Sequence, residues 1–244
     1  MQSDPSVCPF EVERAVMVQH WQRLTFVHWS YEPAVVQRLL PPNLEVEEVD
    51  GRAWVGLVPF FMSVASGGGR SLPWAAHFCE TNVRTYVRDR DGRSGIWFFS
   101  LDAARLAAVV VARLTYRLPY FWSSMNVVMS DGRIDYACRR RMPGPVGAKS
   151  VVVVEIGDPF EPGELGDLDH FLTARWVLFS EWGRRRRFAR AWHAPWPLHH
   201  ATILEWRDEL IEAAGLPAPH GDPLVHYSPG VEVRIGQPER YERR

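Results

Sequence analysis

The sequence predicts an α+β fold built around one large, curved antiparallel sheet or incomplete barrel. Three observations carry that prediction. Asp50-Gly51, Asp91-Gly92 and Asp131-Gly132 each fall between runs rich in β-branched and aromatic residues, the pattern of tight hairpins. The few helix-like segments do not alternate regularly with strands, as they would in a parallel sheet. No segment recurs at a fixed period.

The elements follow in order. Residues 1–19 are a polar, weakly patterned lead-in. "RLTFVHWS" (23–30) reads as a strand. "EPAVVQRLLPPNL" reads as a short helix, with Pro33 in its first turn and Pro41-Pro42 as its stop. Hairpins follow around each Asp-Gly pair. Residues 63–74, "SVASGGGRSLPW", read as a connection or lid; no Lys-Ser/Thr follows the glycines, so it is not a phosphate loop. A helix is expected from an Asp102 cap to about Tyr116, apolar on most sides and therefore buried. "KSVVVVEIG" is a strand and "DLDHFLTARW" a short helix. "VLFSEWGRRRRFARAWHA" is a hairpin, and "ATILEWRDELIEAAG" ends in a helix stopped by Gly215. "PLVHYSPGVEVRIG" is the closing strand. One domain over residues 1–244 accounts for all of this.

Composition narrows the function classes. Apolar residues make up 46% and charged residues 23%, ordinary values for a globular protein. The net charge of -1 gives no electrostatic argument for nucleic acid or membranes, and no aromatic-interleaved RNA motif accompanies the arginine runs at 139–141 and 184–187. Those runs read as solvated turns or strand ends. Cys8, Cys79 and Cys138 are too scattered for a disulfide framework or zinc knuckle, which fits a cytoplasmic protein. The first residues have no apolar signal region, and no run reaches the ~18 residues of a membrane helix. No metal is expected, since the histidines lack ligand spacing, and no cofactor signature is present.

The segment "ETNVRTYVR" holds the most suggestive chemistry. Period two puts Glu80, Asn82, Arg84, Tyr86 and Arg88 on one face and Thr81, Val83, Thr85 and Val87 on the other. The polar face is either solvated or lines a cavity. In a cavity, Arg84 would bind a carboxylate or carbonyl, and Glu80 would act as acid or base with its pKa raised by burial. His28 in the first strand is a core histidine or a catalyst. Asp102 and Arg105 would border the ligand if the helix start faced the cavity. Tyr120 could donate to a carbonyl or simply pack.

The motifs "LTFVHW", "LLPPNLEVEEVDGRAWVGLVPF", "ETNVRTYV", "WFFSLDA", "LPY" and "HYSPGVEV", in this order over about residues 17 to 238, resemble the YqjF-like family labelled DUF2071. More distantly, the chain resembles acetoacetate decarboxylase. That resemblance implies a cone-like β-barrel with a cavity and flanking helices, and homo-oligomerisation. It gives Glu80 a match to a cavity glutamate. The decarboxylase forms an imine on a lysine, but the matching segment here is Tyr116-Arg117-Leu118-Pro119-Tyr120. Lys149 is the chain's only lysine, and 27 of the 28 basic residues are arginine, which forms no Schiff base.

The expected function is a small-molecule enzyme acting on a keto or carboxylate compound by acid-base chemistry, of lyase, dehydratase or cyclase type. It would need no Schiff-base lysine. Glu80, His28 and Tyr120 would be catalytic; Arg84, Tyr86, Asp102, Arg105 and Arg117 would hold the substrate. The alternative is a non-catalytic small-ligand-binding protein on the same scaffold.

Overall fold

A computed structural model describes residues 4–66, 77–115, 118–182 and 185–241. Strand β1 (Met17–Tyr31) leads through helix α1 (Pro33–Gln37) and the short strands β2 (Leu44–Val46) and β3 (Glu48–Val49) into β4 (Arg52–Ser66). Next come β5 (His77–Asp89), β6 (Ser94–Ala103), α2 (Leu106–Thr115), β7 (Tyr120–Ser130), β8 (Arg133–Met142) and β9 (Lys149–Pro159). The last part holds α3 (Asp167–Thr173), β10 (Val177–Trp182), β11 (Arg185–His193), β12 (His199–Asp208), α4 (Leu210–Ala213), β13 (Leu224–Ile235) and β14 (Glu239–Arg240). Much of the expected glycine-rich connection, at 67–74, lies outside the described residues.

Two Asp-Gly turns have positive φ at both central residues, 52° and 70° at Asp50-Gly51 and 48° and 77° at Asp131-Gly132. That geometry matches the twist of paired strands and favours this dipeptide. At the third hairpin only Gly92 has positive φ, and the Asp89 carboxylate organises a longer tip by accepting from the Asp91 and Arg93 backbone N–H groups.

The pairings make a curved sheet rather than a regular barrel. β5, β6, β7, β8, β9, β12, β13, β1 and β4 pair in sequence, and β4 returns to β5. A second closure branches off: β6 also pairs with β10, β10 with β11, and β11 with β13. Strands β13, β1, β4, β5 and β6 are therefore common to two rings. The first ring supplies a filled core that includes Trp29, Leu57, Val83, Ile134, Tyr136 and Val154.

Two expectations need correction. The sheet is not wholly antiparallel, because β6 runs parallel to both β7 and β10. Helix α2 is the crossover from β6 to β7, since a parallel return needs a long connection where a hairpin does not. The helix also starts later than expected and is not buried all round. Asp102 is not its cap but an interior strand residue, paired with Thr81 on β5 and Phe121 on β7. Leu106, Val110 and Leu114, spaced i, i+4, i+8, form an outer stripe that is 45%, 46% and 66% exposed.

Candidate functional site

The second ring surrounds a cavity of about 370 Å3, lined from every one of its strands. Phe60 on β4, Phe98 on β6 and Phe188 on β11 are among its apolar walls. Ala107, Ala108, Val111 and Ala112 close another side, because these positions share one face of α2. The polar groups converge mainly from β5: Glu80, Asn82 and Arg84 line the cavity on alternate positions. They are only 2%, 5% and 4% exposed, so this face is not a solvated sheet surface. The strand holds it there because the opposite face, Thr81, Val83, Thr85 and Val87, is β-branched and buried.

Glu80 sits beside Tyr120, whose hydroxyl donates to Oε2 at 2.9 Å. Burial raises the Glu80 pKa to about 8; the Tyr120 hydrogen bond opposes that rise, and the charge of Asp102 adds to it. At neutral pH Glu80 is mainly a neutral carboxylic acid, able to give up a proton. Burial and the adjacent Glu80 carboxyl hold the Tyr120 phenol well above its ordinary range, so it remains a donor. Arg113, near the end of α2, donates to the Tyr120 carbonyl at 2.6 Å and ties the helix to the start of β7.

Arg84 is fixed from the side away from Glu80. Its NH2 group donates to the Leu172 carbonyl at 3.2 Å and the Tyr86 hydroxyl at 3.3 Å, both neutral acceptors. Its Nε has no hydrogen-bond partner, and neither has Asn82 Oδ1. The guanidinium also lies over the Phe26 ring, 5.2 Å from its centroid. Tyr86 uses its single proton on the Leu172 carbonyl at 2.6 Å. His28 Nε2, 2.6 Å from the Tyr86 oxygen, must therefore carry a proton and donate. Burial first, then the Arg84 charge, depresses the His28 pKa well below its ordinary value, so the ring is neutral.

His28 and Tyr86 thus hold Arg84 in place but do not line the cavity. Gly56 leaves room for this arrangement, since a Cβ there would sit 2.8 Å from His28 Nε2. Gly56→Ala is expected to cost about 1–3 kcal/mol in chemical denaturation. An unchanged midpoint would show that the histidine can move freely.

The other expected ligand-binding residues lie elsewhere. Asp102 is fully buried in a bidentate pair with Arg140, Nε to Oδ1 at 2.9 Å and NH2 to Oδ2 at 2.6 Å, and also accepts from Ser123 at 2.7 Å. It is not part of the cavity lining, because the strand directs it into this pair. Arg105 is exposed and reaches the His77 carbonyl at 3.3 Å. Arg117 lies outside the described residues. Lys149 is exposed at the start of β9, where its backbone pairs with Glu209; no lysine lines the cavity.

Two arginines were missed by reading the basic runs as solvated. Arg187 on β11 lines the cavity, and Arg140 is 1% exposed. A period-two reading would have found Arg140: Ile134, Tyr136, Cys138 and Arg140 alternate along β8, and all are buried. No local pattern marks Arg187. Among the described residues no cluster of His, Cys, Asp and Glu could hold a metal ion, and no helix is long and apolar enough to cross a membrane.

Comparison with known proteins gives concordant results. The chain is 32% identical over 219 residues, 89% of each chain, to the uncharacterized protein YqjF of Bacillus subtilis strain 168. Among solved structures it resembles an acetoacetate decarboxylase-like enzyme from Sphingomonas wittichii RW1, with a TM-score of 0.65, 16% identity, and 95% and 94% of the two chains covered. It also resembles the enduracididine biosynthesis enzyme MppR complexed with pyruvate, with a TM-score of 0.61, 17% identity, and 92% and 90% covered. Acetoacetate decarboxylase from Legionella pneumophila gives a TM-score of 0.62 at 12% identity, with 96% and 92% covered. The fold is thus acetoacetate decarboxylase-like. The DUF2071 family, described as uncharacterized conserved proteins, matches residues 18–232, and the chain belongs to that family.

Proposed function

We propose that the protein is a small-molecule enzyme acting on a keto or carboxylate compound by acid-base chemistry, without an imine. The observation that carries this is the pairing in one cavity of a carboxyl group with a pKa of about 8 and a buried arginine with an unpartnered Nε. Arg84 donates hydrogen bonds to the substrate's carboxylate or carbonyl oxygen. Glu80 gives a proton to, or takes one from, the reacting atom. When Glu80 becomes a carboxylate, the Tyr120 hydrogen bond to Oε2 strengthens and stabilises that charge. Lyase, dehydratase and cyclase reactions all need this proton transfer. That MppR, a structure of similar fold, is complexed with pyruvate is consistent with keto-acid substrates.

The test is turnover of a panel of keto acids and carboxylates followed by NMR. Glu80→Gln is expected to lower kcat by about 10²–10⁴-fold, the usual worth of a general acid or base. Borohydride added with a keto acid is expected to leave the protein mass unchanged; a reduced adduct on Lys149 would sink the imine-free chemistry. A second reading, a ligand-sequestering protein, is supported by the largely apolar lining. A metabolite that co-purifies and is released unchanged, with no turnover across the panel, would favour it.

A further inference from the structure

We infer that the cavity takes an organic anion with an extended apolar body, and that short keto acids are not its natural occupants. This deepens the preceding proposal and rests on the cavity being its ligand site, though not on turnover.

The first argument is volume. A cavity of about 370 Å3 holds about twelve water-sized groups at roughly 30 Å3 each. A three-carbon keto acid would leave about half of it empty. The second argument is the segregation of polarity. Glu80, Asn82 and Arg84 lie along a single strand, spanning about 13 Å from first to last. The flanking strands β4 and β6 and the helix α2 supply apolar walls, including Phe60, Met62, Phe98 and Ala108. Apolar space left unfilled costs stability in proportion to its volume, and an apolar ligand restores the lost contacts. The third argument is the helix. Ala107, Ala108 and Ala112 line the cavity with the exposed Val111 at its rim, while larger leucine and valine side chains occupy the outer stripe. Leucines on the inner face would fill the space, so the small side chains are what keep it open.

The polar strand specifies the head of the ligand. Arg84 Nε is a buried donor without a partner, and Asn82 Oδ1 is a buried acceptor without one. A carboxylate satisfies the first, and a neighbouring hydroxyl or enol satisfies the second. Arg187 across the cavity adds a second cationic group, and among the described residues no carboxylate lining the cavity other than Glu80 offsets it. The chemical class is therefore a keto or hydroxy acid with a hydrocarbon or aromatic tail.

The test is calorimetric titration of the whole protein with straight-chain 2-oxo acids, from pyruvate to 2-oxodecanoate. Kd is expected to fall about fourfold per added methylene until the tail fills the cavity. The methyl ketones of matching length should bind about tenfold more weakly, for want of the charge that Arg84 recognises. Ala108→Leu and Ala108→Phe should move the optimum to shorter chains. A Kd independent of chain length, tightest binding by pyruvate, an optimum unmoved by either substitution, or no binding across the series would each overturn the inference. Length-dependent binding without turnover would keep it and sink the enzymatic reading. Turnover of pyruvate without length dependence would do the reverse.

Discussion

Asp102→Ala is expected to destabilise the protein by about 3–5 kcal/mol, seen as a lower midpoint in urea or guanidinium denaturation. The cause is the arginine left behind. Arg140 is sealed under β6 and β7, stacked 3.7 Å from the Phe121 ring centroid, and both of its carboxylate contacts go to Asp102. Without that partner a guanidinium stays in a space closed to water. The pair itself need not be strongly stabilising, because bringing both charges out of water costs several kcal/mol. Asp102→Leu combined with Arg140→Met should therefore recover most of the loss. A single substitution costing less than about 1 kcal/mol would mean that water reaches Arg140. Asp102 is absent from the cavity wall, but its charge helps raise the Glu80 pKa, so the same substitution should also shift the Glu80 titration downward.

The second large effect is pH-dependent. Glu80 has a pKa near 8 in the folded protein and about 4.5 as an ordinary carboxyl group. Between those values the folded state holds a proton that the unfolded chain has released. Stability therefore falls as pH rises through this window, by up to about 4 kcal/mol, and levels off above pH 8. Glu80→Gln keeps an acceptor for Tyr120 but cannot ionise, so this part of the slope should vanish. The variant is expected to be more stable than the natural protein at pH 8 and close to it at pH 5. Parallel stability curves would show that Glu80 is solvated in the folded state. Loss of activity in a variant with greater stability would be the mark of a group held in an unfavourable environment for use.

Local patterns revealed the hairpins and the composition of the polar strand, while closure stayed hidden. Two of the three Asp-Gly turns follow from the backbone preference of two residues each, while the third takes its shape from the Asp89 carboxylate as well. Period two grouped Glu80, Asn82 and Arg84, but the same pattern suits a wet sheet face. What buries it is β10 and β11, some hundred residues later in the sequence, and no local signal encodes that pairing. Asp102 was misread for a related reason. It precedes a helical run closely enough to resemble a cap, and only its two strand neighbours show otherwise. Arg140 was readable in principle, because an arginine on the inward face of an otherwise apolar strand asks for a buried partner.

The common wall of the two rings has a consequence for how this scaffold can change. β5 is anchored by Val83 in a filled core on one side and exposes its chemistry to a hollow on the other. The backbone position of Glu80, Asn82 and Arg84 is set largely by residues that never meet a ligand. Side chains on the hollow side can be exchanged while the strand stays in register. Such exchanges leave the register alone, although a buried acid there still costs stability where it ionises, as Glu80 does. Such an architecture separates what must be kept from what is free to diverge, and one fold can then pass through many chemistries by substitution along a single strand and its facing helix.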